Sequence, residues 1–361
     1  MKKVSIITIY DENNFGNRLQ NYAVQEKIKK LGNNVISVKY QRNYEIKLKH
    51  KIKKLTKTII KILTKSNKNE KLKLFRNFNK NIVTTNKMYS PKNIKEFDSK
   101  YHSDFFVVGS DQVWNPNFGR LTDIELLNFT SKNKVAFSAS FGISNLPDEF
   151  KNSVKNSLNK FKLISVREDA GKKIIEDLHI NKDVEVLIDP TMLLSAKDWD
   201  MVSKAPKQIS KLKGKKYILN YFLGNLSEER KKEIQRIATE NECEIINILD
   251  KNDPFFISGP SEFLWLEKNA FLICTDSFHS SVFAILYNRP FVVFNREDKT
   301  KSMNSRIETL ISKFNLKNRE YNGKNITKEN LEHDYTEAYK ILEQERIKSE
   351  EFLKKALDID E

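Results

Sequence analysis

Short apolar runs recur along this chain, each followed by a longer segment whose apolar residues return at helical spacing. Runs at 4–9, 35–38, 105–108, 134–138, 163–166 and 184–188 are too short for helices and rich in Val, Ile and Phe, the mark of buried strands. Helical periodicity covers 18–31, 146–160 and 170–178. The alternation resumes at 217–221 and continues through 227–241, 244–249, 261–269, 271–274, 280–287 and 291–294. Strands alternating with amphipathic helices build parallel α/β sheets. A chain of 361 residues is long for a single core, so two domains are expected. They are 1–190 and 191–325, with 188–216 as the crossover, and a charged last helix, 326–361, packs back across them. No internal repeat of fixed period appears. Open sheets of this kind take ligands beyond the carboxyl ends of their strands. The expected architecture is therefore two α/β domains facing a shared cleft.

The net charge of +16 is unevenly placed. Residues 42–80 hold fourteen Lys and Arg against two Glu, a net +12. Within them Ile52, Leu55, Ile59, Ile60, Ile62 and Leu63 recur at roughly helical spacing. This pattern is read two ways. It suits a helix on an anionic membrane face, and it equally suits an ordinary surface helix with a Lys-rich bias. No zinc-finger, RRM or helix-turn-helix signature accompanies the charge, so nucleic acid is not an expected partner. The opening "MKKVSIITIY" imitates a signal peptide, but its apolar stretch stops at Asp11-Glu12, and it reads as a first strand. No segment reaches the ~20 apolar residues of a membrane span. Cys243 and Cys274 sit in apolar runs, as buried thiols do. A cytoplasmic protein, possible periphery of the inner membrane included, is expected.

Polar residues cluster where strands end. The first loop carries Gly16 and Asn17 at the start of a helix, the geometry of an anion cradle or of a simple turn. Neither a dinucleotide nor a P-loop fingerprint is present. In "FFVVGSDQVWNPNF", Gly109 permits a sharp turn and Ser110, Asp111 and Gln112 follow. Trp114 is read either as a sugar-stacking ring or as a cap on the core. Arg167 ends the run 163–166. It suits carboxylate or phosphate recognition by its forked donors, or an ion pair with a neighbouring acid.

In "TDSFHSSV", Thr275, Asp276 and Ser277 supply turn and cap chemistry, and His279 enters the first helical turn with Ser280 beside it. Amides and hydroxyls converging there suit an anion next to the imidazole. Arg289 and Arg306 follow downstream. A Ser/His/Asp triad of Ser277, His279 and Asp276 fails, because triad members come from separate loops and no G-x-S-x-G elbow exists. Cys274 lies inside the strand and cannot serve as a nucleophile. The "DWD" triplet at 198–200 falls in a helix, and no spacing suggests zinc.

Taken in order, "NFGNRLQNYAVQEKIKKLG", "VVGSDQVWNP", "ASFG", "ISVREDAG", "LIDPTMLL", "TDSFHSSVFAILYNRPFVVF" and "NSRI" resemble the polysaccharide pyruvyl transferase family over about residues 4–310. The resemblance implies two Rossmann-like domains in a GT-B-like arrangement. It also implies transfer of pyruvate from phosphoenolpyruvate to a sugar of a cell-surface glycan, or of its polyprenyl-linked precursor, as a ketal. By resemblance, Arg167 and His279 match the family's donor-binding Arg and His, and Arg306 is a third cation. Asp111 and Asp276 are the alternative bases. No cofactor or metal is implied beyond the donor itself. One departure stands out: many members carry Arg two residues before the His, where this chain has Ser277. Arg289 or Arg306 is the expected replacement. Two other classes stay open: a GT-B-like glycosyltransferase using a nucleotide sugar, and a non-catalytic membrane-associated scaffold of glycan assembly.

Overall fold

The computed structural model describes residues 1–41, 60–296 and 305–359, with backbone alone for 60–66. The chain divides into two compact units. One comprises Met1–Ile62, Asn79–Leu193 and Glu345–Glu361, the other Leu63–Phe78 and Leu194–Gln344.

Six strands form the sheet of the first unit: β1 (Lys3–Ile7), β2 (Asn34–Ser37), β3 (Phe105–Val108), β4 (Asn133–Ala139), β5 (Leu163–Val166) and β6 (Val184–Val186). All pairs are parallel, in the order β2-β1-β3-β4-β5-β6. Every residue of β3, Phe-Phe-Val-Val, is buried, as expected of a sheet covered on both faces. The covering helices are α1 (Phe15–Lys30), then after α2 (Ile60–Phe78) come α3 (Ile94–Tyr101), α4 (Asp148–Leu158) and α5 (Asp169–Asp177). Edge-to-face rings join α3 and the turn before β4 to the sheet: Phe97 to Phe106 at 6.0 Å and Phe106 to Phe129 at 5.3 Å. Helix α1 begins at Phe15 rather than at 17 or 18. The Asn14 side chain accepts from the Asn17 amide at 3.1 Å and caps it there.

The second unit holds β7 (Tyr217–Tyr221), β8 (Glu244–Asn247), β9 (Leu272–Thr275) and β10 (Phe291–Val293). They are parallel, in the order β10-β9-β7-β8. Its helices are α6 (Ala196–Asp200), α7 (Glu228–Glu240), α8 (Pro260–Asn269), α9 (Phe278–Leu286), α10 (Ser305–Lys313), α11 (Lys328–Leu331) and the start of α12 (Thr336–Ala356). Trp199, Phe283 and Phe263 stack edge-to-face through its core.

Three features depart from the sequence reading. The single last helix is two, because Arg319 takes the carbonyls of Asn330 and Glu332 (2.9 and 3.1 Å) and Asp334 caps a fresh start at the Thr336 amide (2.9 Å). From Glu345 onward α12 belongs to the first unit, where Phe352 stacks on Phe137 and Glu350 pairs with Lys27 at 2.5 Å. Of the basic segment, residues 42–59, with Ile52, Leu55 and Ile59, lie outside the described residues. Residues 63–78 were expected in the first domain but cluster with the second unit. There Lys71 sits over Phe256 at 4.4 Å, and Leu74 fills the space where a side chain on Gly259 would fall. Among the described residues no helix is long and apolar enough to cross a membrane.

Candidate active site

In the first unit the chain leaves β1 toward β2 on one side and toward β3 on the other, so the switch point of the sheet lies between β1 and β3. Ligand sites of open α/β sheets form there, and a network of buried polar side chains occupies it. Asn17, in the first turn of α1, donates its side-chain amide to Asp111 Oδ2. Asp111 stands on the turn after β3, with a left-handed φ of 62°. That turn requires Gly109: its φ is +127°, and a Cβ would lie 2.1 Å from the Phe137 carbonyl oxygen. The second oxygen of Asp111 accepts from Arg167 Nη2 at 3.1 Å, and Arg167 Nη1 donates to Asp189 Oδ2 at 2.5 Å. Asp189 also accepts from the Thr191 amide (3.0 Å) and hydroxyl (2.7 Å), and from Ser110 Oγ (3.2 Å).

The side chains of Arg167 and Asp189 are 1% and 0% exposed, that of Asp111 9%. Burial alone would lower the Arg167 pKa; the fields of Asp189 and then Asp111 reverse this and raise it. Of the two roles considered for Arg167, ion pairing is the one observed, and it is made twice. Asp111 is the member of the triad nearest to solvent, with its oxygens held by an amide and a guanidinium.

Ser110 is fully buried, and its single hydroxyl proton lies between the Ser138 carbonyl at 2.8 Å and Asp189 at 3.2 Å. Trp114 is a core residue and not a sugar platform. It is 0% exposed, donates Nε1 to the Glu125 carbonyl at 3.0 Å, and packs on Phe141 and Phe161. Gly16 is buried as the second residue of α1. Asp189 was missed as a site residue, although an acid ending the strand in "LIDP" was the available signal.

In the second unit the switch point lies between β7 and β9, and Asp276 is there. Its carboxylate accepts the Leu223 and Gly224 amides, both at 2.7 Å, and Arg296 Nε at 3.0 Å. Both oxygens are thus engaged in clamping the loop after β7 to Arg296, beyond β10, which argues against Asp276 as a base. Arg296 was not foreseen from sequence. Ser277 caps α9 with extended backbone and no side-chain cap bond. Its amide donates to Thr275 Oγ1 at 3.0 Å, and that hydroxyl donates to the Tyr221 carbonyl at 2.7 Å.

His279 is the second residue of α9, whose first turn holds no acid. It is 8% exposed and meets Phe278 edge-on at 5.4 Å. The imidazole thus stands at the positive end of a helix dipole. Ser280 faces inward and donates to Glu267 Oε1 at 2.6 Å. Burial holds the Glu267 carboxyl well above its ordinary range, and the Ser280 bond opposes this. Arg306 is the second residue of α10, which packs against α9, and is 7% exposed.

Arg289 does not fit the role of replacement cation. It follows α9, so nine residues of helix, roughly 13 Å, separate it from the His279 end. Its carbonyl accepts from Tyr335 there, at 2.9 Å. The "DWD" acids are likewise accounted for: Asp198 closes a capping box with Ser195, and Asp200 pairs with Lys268 at 2.8 Å.

Comparisons with solved structures agree with the two-unit parallel α/β design. UDP-GlcNAc 2-epimerase from Neisseria meningitidis, bound to UDP-GlcNAc, is similar at a TM-score of 0.52 and 10% identity, covering 100% of both chains. The UDP-GlcNAc 2-epimerase of Methanocaldococcus jannaschii gives 0.51 and 13% identity over 94% of this chain and 92% of its own. Arabidopsis thaliana UGT89C1, complexed with UDP-L-rhamnose, gives 0.53 and 9% identity over 99% of each. These likenesses establish the fold, which is of the GT-B type. No curated protein matches the chain in sequence. The family profile described as polysaccharide pyruvyl transferase matches residues 14–298, and the chain belongs to that family.

Proposed function

We propose that this protein transfers pyruvate from phosphoenolpyruvate to two hydroxyls of one sugar in a cell-surface glycan or its lipid-linked precursor. A proton adds to C3 of the donor, leaving C2 electron-poor. One sugar hydroxyl bonds to C2 and gives up its proton to the base; the second then bonds to C2 as the C2–O bond to phosphate breaks, and its proton leaves with the phosphate. The products are a ketal and inorganic phosphate. Such a reaction needs donors for phosphate and carboxylate, an acid for C3 and a base for the hydroxyls.

The observation that carries the reading is His279 in the acid-free first turn of α9, within a chain of this family. Helix amides and an imidazole together suit a phosphate monoester, with His279 as phosphate contact or acid and Arg306 as a further cation. Asp111 is the preferred base of the two, because both carboxylates are engaged on both oxygens but the Asp111 side chain is the more exposed, 9% against 4% for Asp276. Arg167 then acts through Asp111 as a positioning residue. On the same reading residues 42–80 hold the enzyme at an anionic leaflet. Liposome co-sedimentation tests that part, and binding indifferent to salt and anionic lipid would refute it.

The test of the donor site is thermal stability with and without phosphoenolpyruvate, for wild type and His279→Ala. A ligand specific to the folded form adds about 2.7 kcal/mol at a hundredfold excess over Kd. A shift in wild type that vanishes in His279→Ala supports the reading. A shift with a UDP-sugar and none with phosphoenolpyruvate would instead favour a nucleotide-sugar glycosyltransferase, for which Ser277 in place of the family Arg is the relevant departure.

A further inference from the structure

The first unit contains an open pocket of about 780 Å³ that none of the residues discussed above lines. Loops following the carboxyl ends of three adjacent strands build it: Tyr10 after β1, Tyr40 and Gln41 after β2, and Phe118, Thr122 and Asp123 after β3. It therefore opens at the same edge of the same sheet as Asn17 and Asp111. Its volume falls in the range of small-molecule sites, ~300–1,000 Å³.

The lining is chemically selective. It offers three aromatic rings and a few hydrogen-bonding groups, and among the described residues Asp123 is the one formal charge in its lining. Two guanidiniums lie close by, each over a lining ring and each hydrogen-bonded to a backbone carbonyl. Arg18 is fully buried, lies 4.8 Å from the Tyr10 centroid and donates to the Ile9 carbonyl at 2.5 Å. Arg120 lies 5.3 Å from the Phe118 centroid and donates to the Gln112 carbonyl at 2.7 Å. Two of the three rings, Tyr10 and Phe118, thus each have a cation over one face. Among the described residues a phosphate or a carboxylate would meet Asp123 and no lining cation, which favours a neutral ligand over an anionic donor. A neutral polyol with an apolar C–H face suits rings, an amide, a hydroxyl and a carboxylate. We infer that this pocket binds an uncharged sugar ring; that the ring belongs to the acceptor rests on the pyruvyl-transfer reading above.

Saturation-transfer NMR on the full-length protein, without donor, tests the inference with two neutral probes, N,N′-diacetylchitobiose and methyl β-D-galactopyranoside. Phe118→Ala is the main variant, chosen because Phe118 is 47% exposed and its loss spares the core. Met88→Trp, at a 40% exposed lining position, fills the pocket as a second. At least one probe should receive saturation from wild type and from His279→Ala, and lose about fivefold or more in both pocket variants. No saturation of either probe, or equal saturation in the pocket variants, overturns the inference. So does a loss of the phosphoenolpyruvate-induced thermal shift in Phe118→Ala with sugar binding intact. Sugar binding at the pocket with no phosphoenolpyruvate shift in wild type would leave the pocket standing and the donor reading refuted.

Discussion

Arg167 donates to Asp189 across 2.5 Å with neither side chain reaching solvent. The pair links the ends of β5 and β6, and through Asp111 it reaches the loop after β3 and the first turn of α1. Removing one partner of a buried ion pair typically costs about 3–5 kcal/mol, because the other charge is left uncompensated. Arg167→Ala strands two carboxylates, so chemical denaturation should show a loss at or above that range. Asp189→Asn leaves Asp111 to balance the guanidinium and should cost less. If Arg167→Ala unfolds at the wild-type denaturant concentration, the triad is not what holds these loops.

Gly109→Ala should be poorly soluble or destabilised by more than the ~1–3 kcal/mol of a strained backbone site. The new Cβ would also collide with the Phe137 carbonyl. Gly119→Ala serves as the comparison, since its φ is +62° but nothing lies within 4 Å of its Cβ position. Melting temperatures of the two variants compare a crowded site at a φ outside the left-handed helical region with an open site inside it.

Asp276→Ala removes the acceptor of the Leu223 and Gly224 amides. Hydrogen bonds to a charged acceptor are worth about 1.5–3 kcal/mol, so those two part-buried amides should exchange with deuterium roughly ten- to a hundredfold faster. Mass spectrometry of the peptide containing them reads this directly. Unchanged exchange would mean that the loop after β7 is held by something other than the clamp.

Two buried groups should tilt the stability of the protein with pH in opposite directions. Glu267 is raised from 4.5 by burial, so its favourable contribution is complete below 4.5 and is lost as pH rises above that value. Glu267→Gln, which keeps an acceptor for Ser280, should flatten the decline. Lys71 is lowered from 10.5 to about 8 by burial. Between those values the unfolded chain binds the extra proton, so stability rises with pH by on the order of 3 kcal/mol. Lys71→Met should abolish that rise. Urea midpoints measured across both windows check the two signs.

Most of the fold was legible because strand cores and helix faces leave periodic marks. The Phe-Phe-Val-Val of β3 and the Leu-Ile-Ser-Val of β5 were found with their observed bounds. What escaped was pairing at a distance. Nothing local says that Arg167 meets an acid 22 residues onward, or that Ser280 meets Glu267 thirteen residues back. Trp114 was ambiguous because sequence does not tell which way an indole turns at a strand end. Arg289 was misplaced for a geometric reason: α9 carries the chain back to the amino-terminal end of the sheet, so closeness to His279 along the chain becomes separation in space. The short α3 and α10 lay between stronger signals and were not marked.

The path of α12 has a consequence for how the protein is made. Its second half belongs with strands that begin at Lys3, so the sheet synthesised earliest receives its closing helix roughly 340 residues later. At about 5–20 residues per second, the roughly 215 residues between Phe137 and Phe352 take on the order of 10–40 seconds, and Phe137 waits that long for its cover. The second unit, by contrast, has all four of its strands and α2 in hand before that moment. On the ribosome the first-made half is therefore the last to finish, and the interval in which Phe137 lacks its cover is when a chaperone would be needed.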